Sequence, residues 1–565
     1  MATISGKRAR YVSRASSPGP WRMNFQPRLR CHRDLPLTLR GQPPHRRGML
    51  ASGLPRTLIL LFSLSIVSSL NCRGERALSV AAVFGDHAVL QRGVQVPIWG
   101  TANAGRQIDV EFASQRRTAV ADKGGHWTAW LEAMKESDRG RDLVVRCADH
   151  SLTFKNVVVG EVWLASGQSN MQFSLRACAR RLKDVQVAME EQTRYDIRLL
   201  RIGPPDSDRF RELDRMNVRW QADSPTTRPN HSAVAFFFAR KLARDLGVPI
   251  GVIESSWGGK PIEGFIPEEE FASNAALRPI ADLARENKLE ELKQLEGGVI
   301  VRNTAGMPGR IFNSRIAPVA PYAVAGAIWY QGESNAGTGE DPRNYRLKMA
   351  ALIRGWRKAF RQPRMPFYFV QLPAFRDEAF GWVRLREEQR LSLTVPHTGM
   401  AVTIDLRDTD IHPANKIDVG ERLAHWPLAR QYGKHEVVPG GPLFKSARID
   451  GTTVRVSFDQ LGGGLMIARK EGLPPPRETP ATALEHFEIA GADGTWYPAY
   501  AEIESQEVVI RAKAVPKPVA VRYACRGAPG NPNLYNRAGL PASPFCSRLE
   551  FLPWAPSGKS SSPEK

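Results

Sequence analysis

The sequence predicts an α/β fold in which a parallel sheet stands between two β-rich modules. In the middle of the chain, five buried strand-like runs alternate with amphipathic helical stretches, which is typical of a doubly wound sheet. Before and after this region, short segments of alternating hydrophobicity recur between turn residues, as in sandwich-like modules.

These changes of pattern divide the chain of 565 residues into five segments. They are a basic leader with an apolar run, a first β-rich module, the α/β domain, a second β-rich module and a polar tail. The corresponding ranges are 1–76, 77–159, 160–436, 437–555 and 556–565. About two to four folded domains are usual for a chain of this length.

Particular runs of sequence support each of the three folded segments. The first module contains VQVPIWGTA, QIDVEFAS and HWTAWLEA. The strands predicted for the α/β domain are VWLAS, PIGVIESS, VAGAIWY, PFYFVQL and GMAVTID, and the helical stretch AVAFFFARKLARDLG ends on Gly247. After Lys434, strand patterns return in FKSARIDGTTVRVSFDQ and EVVIRAKAV.

The positive charge of the chain is concentrated at its N-terminus. The whole sequence has a formal charge of +22, and residues 1–76 contribute 14 Lys or Arg against two acidic residues. The remainder has 65 basic and 55 acidic residues and no long basic run. Because clustered Lys and Arg bind a phosphate backbone, we expect no nucleic-acid partner.

An apolar run at Leu58–Leu70 has the length and basic flanks of a signal peptide, with Arg56 before it and Arg73 after it. It is short for a bilayer-spanning helix, and the Arg-, Pro- and Gly-rich sequence before it does not suit a core helix. Translation from Met49 instead of Met1 would give a signal peptide of normal layout. We therefore expect a secreted or periplasmic protein with no stable membrane insertion after signal removal.

Four cysteines follow Cys72 in the sequence. Disulfides persist outside the cytoplasm, and Cys525 and Cys546 bracket a Gly/Pro/Asn-rich loop, so we expect these two to pair. For Cys147 and Cys178, pairing and free buried thiols are equally expected. No CxxC or His/Cys cluster indicates zinc, and we expect neither a metal nor an organic cofactor.

Three clusters after predicted strands carry groups suited to acyl transfer. Ser169, in VWLASGQSNM, is a candidate nucleophile at a turn, with a helix N-cap as the alternative. In VIESSWGGKPIEG, Gly258 and Gly259 either offer N–H groups to an oxyanion or form a plain turn. In AIWYQGESN, the Asn335 amide is a further candidate donor, whereas Glu333 lacks the second carboxylate that glycoside hydrolysis needs.

A fourth cluster, TIDLRDTDIHPANKIDVGERLA, places a histidine on the last strand-to-helix loop. His412 follows Asp410 by two residues, so this carboxylate is positioned to orient the imidazole and stabilise its cationic form. Asp408 and Asp405 are competing carboxylates. His425 lies within a helical pattern and is expected to be packed.

Four motifs occur in one order: GQSNM at 167–171, SSWGG at 255–259, WYQGESN at 329–335 and DIHP at 410–413. Together they resemble the sialate O-acetylesterase family of SGNH hydrolases, and the resemblance runs from about residue 78 to residue 552. It implies a flavodoxin-like catalytic domain with β-rich accessory modules. It also implies hydrolysis of O-acetyl esters on sialic acid or related sugars.

The resemblance implies a role for each matching residue. Ser169 is the implied nucleophile and one oxyanion donor, His412 is the general base, and Asp410 is its orienting acid. Further implied oxyanion donors are Gly259, in preference to Gly258, and Asn335. The implied sugar-binding residues, for which core packing is the alternative, are Gln168, Trp257, Tyr330 and Gln331.

The sequence departs from the family pattern near two of these motifs. Lys260 and Phe265 stand where relatives often carry a small polar residue and Trp, which would alter the acyl or sugar pocket. Thr409 occupies the third position before the histidine, where many SGNH enzymes have Asp. Asp410 and Asp408 therefore both remain candidates for the acidic role.

We therefore predict a serine esterase that acts on an acetylated sugar through an acetyl-enzyme intermediate. An acetylxylan esterase or another polysaccharide acetylesterase would use the same residues on a different sugar. A non-catalytic carbohydrate-binding protein is the alternative outside the enzymes, and the β-rich modules are the feature that favours it.

Overall fold

The computed structural model of the protein describes residues 77–203, 218–302, 304–376 and 380–552. The predicted leader, the apolar run, both candidate start residues and the polar tail lie outside these residues. Within them, the strands form five sheets, and the largest contains the predicted parallel strands.

The first β-rich segment forms two sheets over a shared core. Its strands are β1 (Ser79–Val80), β2 (Val89–Gln91), β3 (Val96–Thr101), β4 (Gln107–Phe112), β5 (Gln115–Val120), β6 (His126–Leu131), β7 (Ser137–Cys147) and β8 (His150–Gly167). Strands β1, β3 and β6 form one sheet, and β2, β4, β5 and β7 connect to β8 in the other. Every second residue of β6 is buried, because successive side chains of a strand point to opposite faces.

The middle segment alternates strands and helices. Its strands are β9 (Ile197–Arg201), β10 (Trp220–Ala222), β11 (Ile250–Ser256), β12 (Gly326–Tyr330), β13 (Phe367–Val370) and β14 (Thr398–Ala401). Its helices are α1 (Ser169–Gln172), α2 (Leu175–Ala179), α3 (Lys183–Glu190), α4 (Ala233–Leu246), α5 (Glu268–Ala272), α6 (Arg278–Arg285), α7 (Leu289–Glu296), α8 (Tyr345–Ala359), α9 (Phe380–Leu391) and α10 (Lys416–Arg430). All five predicted strands are present, and β9 and β10 are additional.

The strands of the central sheet follow the order β10-β9-β11-β8-β12-β13-β14, and only the edge strand β10 is antiparallel to its neighbour. Without the two additional strands, the parallel strands numbered along the chain lie in the order 2-1-3-4-5. This is the order of a flavodoxin-like doubly wound sheet. Such sheets bind ligands at the carboxyl ends of the strands where the order reverses, which here are β8 and β12.

Helices cover both faces of this sheet through aromatic contacts. On one face, the Trp163 ring of β8 lies 5.1 Å from the Phe238 ring of α4. On the other face, the Trp329 ring of β12 lies 5.8 Å from the Trp356 ring of α8. Edge-to-face contacts of this kind, with the burial of large apolar rings, fix each helix against the sheet.

Strand β8 belongs both to the first β-rich segment and to the central sheet. It spans 18 residues and runs through the predicted boundary between residues 159 and 160. Its first half pairs antiparallel with β7, and its second half pairs in parallel with β11 and β12. The division of this region into separate domains stays a prediction.

The second β-rich segment is entirely antiparallel. Its strands are β15 (Leu443–Asp450), β16 (Thr453–Asp459), β17 (Leu465–Arg469), β18 (Arg477–Glu478), β19 (Phe487–Ala490), β20 (Trp496–Pro498), β21 (Tyr500–Glu504), β22 (Glu507–Arg511), β23 (Ala520–Tyr523), β24 (Leu534–Asn536) and β25 (Phe545–Cys546). They form the sheets β15-β16-β22-β21, β18-β17-β24 and β20-β19-β23-β25. Buried residues from several of these strands, such as Val456 and Ile489, share one apolar core.

The disulfide predicted between Cys525 and Cys546 is absent, so that prediction is wrong for this structure. All four described cysteines are free and buried. The Cys525 thiol donates to the carbonyl of Phe545 at 3.1 Å, and the Cys546 thiol donates to that of Arg548 at 3.1 Å. Each thiol has its own backbone acceptor, and burial raises the pKa of both, which disfavours the reactive thiolate.

A buried ion pair joins α10 to the loop after β14. Arg422 donates to the two carboxylate oxygens of Asp405 at 2.6 and 2.8 Å, and the side chain of Asp405 is 1% exposed. Tyr535 of β24 donates to the same carboxylate at 3.3 Å. Asp405 therefore links the second β-rich segment to the central region, and it is not available to orient a histidine.

We predict that Asp405→Ala lowers the free energy of unfolding by about 3–5 kcal/mol, because it leaves the buried Arg422 guanidinium unpaired. Urea denaturation followed by circular dichroism measures this change. Asp450→Ala is the control, because the Asp450 side chain is 59% exposed and exposed ion pairs contribute little to the free energy of unfolding. Equal losses of stability in the two variants would contradict the assigned role.

Candidate active site

Ser169 lies just beyond the carboxyl end of β8, at the start of α1. The preceding Gly167 has a φ of 138°, and a Cβ there would lie 2.1 Å from the carbonyl oxygen of Tyr330. Glycine is therefore required for β8 and β12 to approach this closely. The N–H of Gln168 donates to the same carbonyl at 3.0 Å. These constraints hold the partly exposed Ser169 at the reversal of strand order.

The two glycines of the SSWGG motif lie beside this turn. A Cβ on Gly258 would lie 3.4 Å from the Cβ of Ser169. The N–H of Gly258 donates to the side-chain oxygen of Gln172 at 2.9 Å, whereas the N–H of the exposed Gly259 has no acceptor among the described residues. Of the two glycines, Gly259 is the one with an N–H available to a ligand.

Asn335 is buried, and its amide is hydrogen-bonded through both of its polar atoms. Its nitrogen lies 3.0 Å from each carboxylate oxygen of Glu263. Its oxygen accepts from the N–H of Ile262 at 3.0 Å and from the Gln331 amide at 2.7 Å. One N–H can be shared by the two oxygens of a carboxylate, and the second N–H then has no acceptor among the described residues. The oxyanion role of Asn335 stays a prediction.

His412 lies on the loop between β14 and α10, and Asp410 holds it there. The Nδ1 atom of His412 lies 3.1 Å from Oδ1 of Asp410, which also accepts the backbone N–H of His412 at 2.8 Å. The imidazole stacks on Phe173, with 5.1 Å between ring centres and an interplanar angle of 1°. The backbone N–H of His412 is the main cause of a lowered pKa at Asp410. The structure thus brings Asp410 to the imidazole.

The carboxylate of Asp408, the alternative acidic residue, contacts Arg181 and the backbone of the loop of His412, here called the histidine loop. It forms an ion pair with Arg181 and accepts the backbone N–H groups of Asp410 at 3.2 Å and Ala414 at 3.1 Å. Arg181 also donates to the carbonyl of His412 at 2.8 Å. These contacts shape the histidine loop, and none of them reaches the imidazole ring.

The side chain of Asn170 joins the turn of Ser169 to the histidine loop. Its nitrogen donates to the carbonyl of Ile411 at 2.9 Å and to the carboxylate of Glu333. Its oxygen accepts from the ammonium of Lys416. Asn170 and Ile411 lie 241 positions apart in the chain. A buried amide therefore fixes the two parts of the candidate site to each other.

Ser169 directly precedes Asn170 in the chain, and His412 directly follows Ile411. Because Asn170 and Ile411 are hydrogen-bonded, Ser169 and His412 lie on adjoining turns. Among the described residues, no hydrogen bond joins the Ser169 hydroxyl to the imidazole. Contacts between a nucleophile and its base are often long in a site without substrate and tighten when substrate binds. The arrangement is thus compatible with a Ser–His–Asp relay.

Lys416 and Asn170 are functional candidates that the sequence analysis missed. Lys416 has no exposed surface, and its ammonium lies 5.1 Å from the centre of the Tyr330 ring. Burial lowers its pKa to about 8, and it forms no ion pair among the described residues. In the sequence, Lys416 could have been singled out by its position four residues after His412, at the start of a helix. Asn170 could have been singled out by its position directly after Ser169.

Three of the four predicted sugar-binding residues are inside the protein. Gln168 is 3% exposed, and Tyr330 and Gln331 have no exposed surface. The Gln331 amide donates to the Gln168 oxygen at 3.1 Å, so the two form part of a buried network. Side chains buried to this extent do not contact a ligand. Only Trp257, which is partly exposed, reaches the surface.

Among the described residues, no group of three or more His, Cys, Asp or Glu side chains is arranged to hold a metal ion. No helix in the described ranges has both the length and the apolar character needed to span a bilayer.

Comparisons with known proteins identify the family. Residues 309–428 match the family described as "Carbohydrate esterase, sialic acid-specific acetylesterase". The sialate O-acetylesterase of Rattus norvegicus is 27% identical over 567 residues, covering 88% of this chain and 99% of that protein. A carbohydrate acetylesterase from Xanthomonas citri has a crystal structure that is similar with a TM-score of 0.72 and 34% identity, covering 83% of this chain and 99% of that one. The chain belongs to the sialate O-acetylesterase family.

Membership of this family confirms the resemblance read from the motifs and makes the chain a carboxylic ester hydrolase. The human sialate O-acetylesterase is 28% identical over 387 residues, which cover 61% of this chain and 69% of that protein. The segment matched to the family, 309–428, contains the WYQGESN motif and the histidine loop. Ser169 lies outside that segment.

We predict that Lys416→Met raises the pKa of His412. Burial is the main cause of the lowered pKa of this imidazole, and the charge of Lys416 lowers it further, against the opposing effect of Asp410. Proton NMR titration of the imidazole signal, assigned by its loss in His412→Asn, measures the shift.

Two further variants control this titration. Lys416→Arg keeps the charge, and Lys358→Met removes a charge from the exposed side of α8; both should leave the pKa of His412 close to that of the native chain. An unchanged pKa in Lys416→Met would show that the ammonium does not act on the imidazole.

Proposed function

We propose that this chain is a serine esterase that hydrolyses O-acetyl esters of sialic acid or a related sugar through an acetyl-enzyme intermediate. Family membership supports the ester chemistry. The observation that supports a serine mechanism is the bond from Asn170 to Ile411, because it holds the turn of Ser169 against the loop of His412. The 2-1-3-4-5 strand order supports an SGNH form of the fold.

In the acylation step, the Ser169 hydroxyl attacks the acetyl carbonyl carbon while Nε2 of His412 accepts its proton. Asp410 accepts the Nδ1 hydrogen, keeps the imidazole in this tautomer and stabilises its cation. The backbone N–H groups of Ser169 and Gly259, with the Asn335 amide, donate to the oxyanion. The tetrahedral intermediate then breaks its bond to the sugar oxygen, which takes the proton from His412 and leaves as the sugar hydroxyl.

In the deacylation step, water replaces the sugar. His412 removes a proton from the water, the resulting hydroxide adds to the acetyl carbon, and the intermediate expels the Ser169 oxygen, which recovers its proton from His412. Burial, with the charge of Lys416, lowers the pKa of His412 and so favours the neutral imidazole that acts as the base. The base is therefore available over a wider range of pH than an unperturbed histidine would allow.

We also propose that the enzyme acts outside the cytoplasm, in a secreted or periplasmic location. The support is the uncharged run Leu58–Leu70 between basic residues, which has the layout of a signal peptide. This run lies outside the described residues.

We predict that Ser169→Ala lowers kcat by about 10⁴-fold or more, because nucleophile and base act as a unit. Hydrolysis of 4-nitrophenyl acetate measures the acyl chemistry, and a 9-O-acetylated sialic acid and acetylated xylan, assayed side by side, compare the two sugar classes. An organophosphate should label Ser169, as located by mass spectrometry of the modified peptide.

Ser174→Ala is the matched control, because Ser174 caps the following helix α2 and should not affect turnover strongly. A native chain that neither hydrolyses an ester nor accepts the label would point to a non-catalytic carbohydrate-binding protein. Faster hydrolysis of acetylated xylan would move the assignment to a polysaccharide acetylesterase.

We predict that Asp410→Asn lowers kcat by about two to four orders of magnitude, because it removes the acceptor for the Nδ1 hydrogen. Asp408→Asn should cost less, since that carboxylate contacts Arg181 and backbone groups instead of the ring. Steady-state kinetics on 4-nitrophenyl acetate, with folding checked by circular dichroism, compare the two. A larger effect at Asp408 would reassign the acidic member of the triad.

A further inference from the structure

A buried chain of charged and amide groups leads from two helices to Asn335. Glu263, in the 3-10 helix Ile262–Phe265 after β11, accepts from the Asn335 nitrogen, which lies 3.0 Å from each of its carboxylate oxygens. The ammonium of Lys348, on α8, lies 2.6 Å from Oε1 of Glu263 and also pairs with Glu296 at the end of α7. Each of these four side chains is at most 6% exposed, so their contacts are shielded from water.

The contacts of Asn335 define the orientation of its amide. The oxygen accepts from the N–H of Ile262 at 3.0 Å and from the amide of Gln331 at 2.7 Å. A carboxylate can only accept hydrogen bonds, so the nitrogen must face Glu263. A flipped amide would place its oxygen against the carboxylate and its nitrogen against two donors, and unsatisfied buried groups are costly. With one N–H shared by the carboxylate, the other N–H keeps a fixed direction.

A second branch of this network reaches the turn of Ser169. The Gln331 amide that donates to Asn335 also donates to the side-chain oxygen of Gln168 at 3.1 Å, and Gln168 directly precedes Ser169. The same Gln168 oxygen accepts the backbone N–H of Ser334 at 3.1 Å. The Asn335 amide is therefore fixed relative to the turn of Ser169 on one side and held by a buried carboxylate on the other.

The placement of the charged groups favours a role in orientation. Two carboxylates and one ammonium are removed from water here, and buried ion pairs of this kind often stabilise a fold no better than apolar residues of the same volume. Because Lys348 holds one oxygen of Glu263, the carboxylate cannot turn away from Asn335 without leaving the buried ammonium short of a partner. The ammonium therefore fixes the carboxylate, and the carboxylate fixes the amide.

We propose that Glu263 is a positioning residue for ester hydrolysis: held by Lys348, it orients the Asn335 amide toward the oxyanion. This inference rests on the proposed function, in which Asn335 is an oxyanion donor. Donors that already point at the oxyanion need no reorganisation when the negative charge develops. Glu263 does not touch the substrate and acts only through Asn335.

A double-mutant cycle tests whether Glu263 acts through Asn335. Glu263→Gln keeps the size of the side chain but leaves one acceptor oxygen where Lys348 and Asn335 now share two. It should lower kcat and kcat/KM for 4-nitrophenyl acetate by about tenfold, with KM nearly unchanged. Asn335→Ala alone should lose about 10²- to 10³-fold in kcat, and adding Glu263→Gln to it should cost less than about twofold more.

Three results would overturn the proposal. They are losses that add in the double variant, an unchanged kcat in Glu263→Gln, and an effect confined to KM. Additive losses would mean that the carboxylate acts on turnover by a route that does not pass through Asn335.

Two further variants separate orientation from a loss of folding, which circular dichroism checks in each chain. Glu263→Asp keeps a carboxylate for the long Lys348 side chain, which can follow it, but withdraws it from the fixed Asn335 amide. It should therefore lower kcat too, and only when Asn335 is present. Glu270→Gln is the matched control, because Glu270 is a buried carboxylate that pairs with Arg354 of α8. It should leave kcat unchanged, and a loss equal to that of Glu263→Gln would count against the proposal.

The activity of Ser169→Ala separates this proposal from the proposed function. If Ser169→Ala is inactive while Asn335→Ala retains the native kcat, the positioning role fails and the serine esterase stands. If Ser169→Ala retains the native kcat while Glu263→Gln and Asn335→Ala show the non-additive loss, the nucleophile assignment fails and the positioning role stands.

Discussion

The amide of Asn170 is the contact on which the candidate site depends. It is buried between the Lys416 ammonium, the Glu333 carboxylate and the backbone of the histidine loop. A flip of this amide would face its nitrogen to the ammonium and its oxygen to the carboxylate, and buried charges without partners are costly. The amide therefore has one stable orientation. In that orientation it sets the distance between two turns that come from opposite ends of the catalytic region.

Much of this arrangement follows from local sequence. The buried runs predicted as strands are all present, because short apolar runs of this composition are typical of strands in a sheet covered on both faces. Ser169 and His412 were then placed at the same edge, since both follow predicted parallel strands and such strands present their carboxyl ends together. The pairing of His412 with Asp410 could also be predicted, because the two residues are only two positions apart in the sequence.

The remaining features depend on contacts that spacing does not encode. Nothing in the sequence relates Asn170 to Lys416, which lie 246 positions apart, until the strand order is known. The burial of Tyr330 and Gln331 likewise depends on which strands lie beside β12. The expected disulfide fails for a related reason, since two cysteines around a loop do not determine where their thiols point. Long-range packing, more than propensity, decides each of these cases.

The length of β8 has a consequence for any truncation of the chain. One continuous strand begins in the first β-rich segment and ends two residues before Ser169, so the two regions share a backbone ladder and not merely a linker. Cutting the chain between them would divide this strand and remove the antiparallel partner of its first half. The turn that carries Ser169 therefore depends on a strand that the first β-rich segment helps to hold in place.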